Sequence, residues 1–167
     1  MSKSKIVGIM ALTVFAMFII LAGNAVAGER FKWRAVWYTP KSESINVPGE
    51  EGRIMVICED KGILGVIEGS KLMDGMAGVD VYCLDMNTKT GTGFGHGMIQ
   101  FTNRDGDKIY WEWEGRTKNG GFGGPATITK GTGKFEGLKG KANWSTVTVT
   151  PNQFYADWEG EMDLPRR

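Results

Sequence analysis

The chain is poor in the residues that most often mark a chemical centre. It has two cysteines, Cys58 and Cys83, and one histidine, His96. Three such residues cannot complete a four-ligand structural zinc site. None of them sits in a recognisable Ser or Cys nucleophile motif. No catalytic residue, no metal ligand and no cofactor is therefore assigned. Charge of one sign is also missing: Lys+Arg total 20 and Asp+Glu 19. A nucleic-acid partner normally requires a basic face, so none is expected.

Long apolar runs are absent except at the start, where residues 6–23 are almost all apolar. Lys3 and Lys5 precede that run, and Ala25-Val-Ala27 ends it. A basic start, an apolar stretch and a small-x-small end predict a signal peptide over residues 1–27, cleaved after Ala27. Left uncleaved, the run would be the chain's only contact with a membrane. Either way the remainder is expected to be exported, to the periplasm or the cell exterior. Residues 28–167 then form one domain. Without Lys3 and Lys5 it holds 18 basic against 19 acidic residues, a formal charge of −1. Export to an oxidising compartment predicts a disulfide between Cys58 and Cys83. It would close a loop of about 25 residues and add roughly 3 kcal/mol.

No helical period appears after residue 28. Glycine is plentiful, at 25, and turn signals recur about every ten residues, the pattern of short antiparallel strands in a sandwich or barrel. Strands are predicted near 30–39, 53–59, 62–69, 78–85, 92–102, 108–117, 124–130, 139–149 and 153–163. Turns are predicted at Asn103-Arg-Asp-Gly106, Asn119-Gly-Gly121 and Glu59-Asp-Lys-Gly62, and a loop over residues 42–52.

Two strands alternate strongly. Phe31, Trp33, Ala35 and Trp37 share one face of the first, with Arg30, Lys32 and Arg34 on the other. Phe154, Ala156, Trp158, Gly160 and Met162 share one face of the last, with Tyr155, Asp157, Glu159, Glu161 and Asp163 opposite. Each strand has a packed side and a wet side. A basic stripe at one end of the chain and an acidic one at the other would suit pairing of first with last strand, closing a barrel. Two unrelated solvated faces would give the same pattern.

The stretch GTGKFEGLKG, residues 131–140, superficially resembles a phosphate loop. It fails the test: Gly133-Lys134 and Gly140-Lys141 are followed by Phe135 and Ala142, not Ser or Thr, and Glu136 occupies the third glycine position of a dinucleotide motif. No nucleotide is expected. These glycines, like Gly91, Gly93, Gly95 and Gly97 on one side of a single strand, serve bends and close backbone approach.

Residues 97–115, GMIQFTNRDGDKIYWEWEG, followed by residues 131–140, resemble the small bacterial barrels related to allene oxide cyclases and dirigent proteins, a lipocalin-like group. Shared features are the DGD hairpin, the aromatic strand ending in glycine, and GTGKFxGxxG between two late strands. The likeness spans roughly residues 78–163. It implies an all-β fold, a small eight-stranded antiparallel barrel with an inner cavity.

Trp111 and Trp113 fall on one strand face, with Glu112 and Glu114 on the other. The tryptophans are either plain core or the wall of a cavity for a small apolar or aromatic ligand. In the inverse arrangement the glutamates point inward, where burial would shift their pKa values toward acid–base use. His96 is either a proton shuttle or a structural residue. The residues expected to bind ligand are Trp111, Trp113, Phe94, His96, Tyr82 and Trp158. Three functions are compatible: a ligand-binding barrel without catalysis, an isomerase or cyclase acting in the cavity, and an envelope protein that self-associates through an outer sheet face.

Overall fold

A side-chain period of two, repeated over eight segments, closes a sheet on itself. In the computed structural model, which describes residues 28–118 and 121–164, the strands are β1 (Glu29–Asn46), β2 (Arg53–Glu68), β3 (Ala77–Asn87), β4 (Thr92–Thr102), β5 (Lys108–Lys118), β6 (Gly121–Gly131), β7 (Lys139–Thr150) and β8 (Gln153–Asp163). They form a closed antiparallel barrel in chain order. The expected signal peptide lies outside the described residues, as does most of the Asn119–Gly121 turn.

β1 and β8 close the barrel, with Trp33 opposite Trp158 and Ala35 opposite Ala156 on the inner face. Outside, Arg34 pairs bidentately with Asp157 at 2.6 and 2.8 Å, and Lys32 lies 3.8 Å from both Glu159 and Glu68. The basic and acidic stripes therefore do face one another. These pairs are exposed, so their main effect is to fix register rather than to add stability.

Two features of the strand prediction change. β2 runs unbroken through Glu59–Gly62, where a turn was expected. Gly62 is needed for space, because a Cβ there would collide with the Trp37 ring. β1 continues to Asn46, past a register shift between Tyr38 and Lys41 that spans Pro40, a residue with no N–H to give the ladder.

The barrel's two ends differ. At one end, β2–β3 and β6–β7 are joined by related loops, GSKLMDGM (residues 69–76) and GTGKFEGL (residues 131–138). Each makes one 3-10 turn, Lys71–Met73 or Gly133–Phe135, and then a glycine with positive φ, Gly75 at 72° or Gly137 at 79°. Each drops two apolar side chains inward: Met73 and Met76 from one, Phe135 and Leu138 from the other, all buried. The apparent phosphate loop is thus half of a hydrophobic floor. Above it Phe31 stacks on Trp33 at 3.7 Å, and Trp111 meets both edge-on. The lower half of the barrel is filled; the other end opens.

Candidate ligand-binding site

The open end is a cavity of about 680 Å³, within the usual range for a small-molecule site. Its walls are largely aromatic: Trp37, Tyr82, Trp113, Phe122, Trp144, Phe154 and Trp158. Trp113 and Trp144 meet edge-to-face at 4.9 Å, and Trp144 stacks near-parallel to Trp158 at 5.9 Å, 23° apart. Phe122 and Tyr82 flank Trp113 at 6.3 and 5.5 Å.

The glycine-bare face of β4 explains how so many rings fit. Gly93, Gly95 and Gly97 sit on the inner side, where a Cβ on Gly97 would stand 2.8 Å from the Trp113 indole. On β5, a Cβ on Gly115 would stand 2.6 Å from Phe122 and 2.9 Å from Trp144. The missing side chains are the space the aromatic wall occupies.

Two carboxyls lie inside this apolar shell. Asp60 on β2 stands directly across from Asp80 on β3, and the next inward pair along the ladder is Cys58 opposite Tyr82. Asp60 is fully buried and Asp80 nearly so. The Trp113 indole N–H donates to both oxygens of Asp80, at 3.0 and 3.1 Å. Neither oxygen of Asp60 is engaged in a hydrogen bond of ordinary geometry.

Burial pushes the Asp80 carboxyl up to about 7; the Trp113 hydrogen bond opposes the rise and the Asp60 charge adds to it. Burial also raises Asp60, with the nearby Thr39 and Tyr82 hydroxyls pulling partly the other way. Tyr82 is raised first by burial and then by the Asp60 and Cys58 charges; Cys58 is raised by burial, with its contact to Tyr82 opposing the rise and the two carboxyls adding to it. Among the described residues, Asp80 is the only ionised-type side chain lining the cavity, and no Lys, Arg or His lines it. The indole N–H groups of Trp144 and Trp158 are also buried without a partner.

Of the six residues expected to bind ligand, Tyr82, Trp113 and Trp158 line the cavity. Trp111 faces inward but is wholly buried in the filled lower half. Phe94 and His96 are misplaced by the expectation. They belong to the outer face of β4, opposite its inward glycines, where Phe94 lies under the Arg116 guanidinium and His96 pairs with Glu114. Glu112 and Glu114 are also exposed on the outside, so the inverse arrangement of that strand does not occur.

The expected disulfide is absent too: Cys58 and Cys83 are free. Cys58 is paired with Tyr82 on the inner side, whereas Cys83 is paired with Ile57 on the outer side. Offset by one residue in register, the two thiols point to opposite faces of the sheet.

Sequence reading missed Asp60 and Asp80. For Asp80 a signal existed: it lies two residues before Tyr82 and so on the same face. For Asp60 the apparent turn at Gly62 concealed the strand.

No family model matches the chain, and no curated protein does. Solved structures do. The chain is similar to the pterocarpan synthase dirigent protein GePTS1, at 12% identity over 86% of this chain and 95% of that one, TM-score 0.51. The pterocarpan synthase dirigent protein PsPTS1 matches at 11% identity over 84% of this chain and 99% of that one, TM-score 0.51. A pyocyanin demethylase matches at 17% identity over 79% and 99%, TM-score 0.44. The chain thus has the eight-stranded barrel fold of dirigent proteins.

Proposed function

We propose that the barrel is a ligand-binding protein that takes one small, flat, apolar or aromatic molecule into its open end. The observation that carries this is the aromatic cavity of about 680 Å³ above a sealed floor. Its N-terminal pattern suits a protein that works after export, in the periplasm or outside the cell; cell fractionation and a mature chain starting at Gly28 would bear on that. Binding is tested with N-phenyl-1-naphthylamine, a neutral dye that brightens in apolar surroundings. Saturable one-to-one binding with quenching of tryptophan emission is expected, weakened by Leu84→Trp, which narrows the cavity. A flat titration removes the reading.

A second reading, an isomerase or cyclase, has one specific observation in its favour. Asp80 can hold or release a proton near neutral pH, at the wall of the cavity, with Asp60 opposite. A carboxyl so placed suits general acid–base work. In D₂O, deuteration of an enolisable aromatic ketone by the wild type, lost in Asp80→Asn, would favour it. Exchange no faster than in buffer alone would count against it.

A further inference from the structure

Among the described residues the cavity is lined by an acid and no base, and seven of its lining side chains are aromatic. Resting on the reading of the cavity as a ligand site, we propose that its natural ligand is an organic cation: a flat aromatic molecule bearing a positively charged nitrogen, seated between the tryptophans with its charge toward Asp80.

The charge around the two carboxyls is one-sided on every element that faces them. β1 contributes Trp37 and Thr39, β2 Cys58, β3 Tyr82, β4 Ile99 and β5 Trp113. Among the described residues, no basic side chain of these strands lines the cavity. Lys32 and Arg34 are engaged outside with Glu68, Glu159 and Asp157, and Lys61 with Glu59. Arg116 covers Phe94 on the outer wall. A buried carboxylate with no counter-charge is costly, and two facing each other across one ladder rung are more so. Asp60 adds to this, fully buried with only the neutral Thr39 and Tyr82 hydroxyls acting on it.

A purely apolar ligand needs none of this. Hydrocarbon walls would hold it at less cost to the fold. An anion would be repelled. A cation would supply the missing counter-charge, and the π faces of tryptophan and tyrosine would attract it as well. The unpaired indole N–H groups of Trp144 and Trp158 are neutral dipoles and do not offset a carboxylate. A linkage follows. Because the cation prefers ionised Asp80, binding below neutral pH must expel a proton, so affinity rises with pH up to about 7 and then levels.

The test uses two probes on the full chain: N-methylquinolinium, whose charge is permanent, and 1-methylnaphthalene, its neutral counterpart. Tryptophan quenching reads both affinities. At about pH 8.5 the cation should bind about tenfold more tightly than the neutral probe, and at about pH 5.5 the preference should collapse. Asp80→Asn, which keeps an acceptor for Trp113, should lose the preference for the cation over the neutral probe. The wild-type pH series needs no variant to fold. If the neutral probe binds as well as the cation at about pH 8.5, or if Asp80→Asn keeps the preference, the proposal is overturned while the cavity reading stands. If neither probe binds, both fall.

Discussion

Asp60 and Asp80 face each other across one rung of the β2–β3 ladder, inside a barrel where Tyr82 and Trp113 are among their neighbours. Like charges directly opposite on a sheet repel, and here water is excluded as well. The fold tolerates this arrangement because the lower half of the barrel is packed, and its cost should be measurable.

The first measurement is stability against pH. The Asp80 carboxyl sits at about 7 in the folded chain against an ordinary 3.8. Between those values the folded state holds more protons than the unfolded one, so stability falls as pH rises from about 4 to about 7. A shift of about three units corresponds to something on the order of 4 kcal/mol. Asp60 acts in the same direction. The Asp80→Asn variant should show a flatter melting-temperature profile and exceed the wild type above about pH 7. The exposed Arg53–Asp85 pair works the other way: Arg53 holds Asp85 below its usual value, and that contribution is lost as pH falls. A wild-type melting temperature that climbs steadily from about pH 4 to pH 8 would contradict the assignment.

Trp113 supplies the only hydrogen bond to Asp80 among the described residues. Replacing it with Phe removes a donor to a carboxylate, an interaction worth about 1.5–3 kcal/mol when charged. The Asp80 carboxyl should titrate higher still, visible as an upward displacement of its carbon resonance midpoint in NMR. An unchanged midpoint would mean the indole does not reach it in solution.

Thiol chemistry checks the register of β2 and β3. The intact mass should show two free thiols under non-reducing conditions. Cys83, half-buried on the outer face, should react with an aromatic disulfide reagent well before buried Cys58. A mass two hydrogens short, with melting sensitive to reductant, would require a different register.

The floor can be probed separately from the cavity. Phe135 is fully buried at the closed end, and Phe135→Ala should cost roughly 3–5 kcal/mol. Dye affinity measured well below the melting temperature should stay within about twofold of wild type. A large loss of affinity at full folding would mean the floor loop shapes the site directly.

The fold was legible because strand alternation is a local signal. Phe31 to Trp37 and Phe154 to Met162 declare their inner faces unaided, and opposite outer charges indicate which strands meet. The site was harder to read for a physical reason. On β3 the β-branched residues Val79 and Val81 are exposed, while Gly78, Asp80 and Tyr82 face inward. Hydropathy alone would turn that strand around. Phe94 and His96 misled in the same way, since their partners in alternation are glycines, which carry no hydropathic weight yet form the inner face. Asp60 was hidden by Gly62, whose role as clearance for Trp37 depends on a residue some 25 positions away and cannot be seen locally.

Met73, Met76, Phe135 and Leu138 make the barrel a blind vessel. Whatever enters must back out by the route it came, so uptake and release share one doorway. Anything that covers the rim would then trap an occupant rather than displace it.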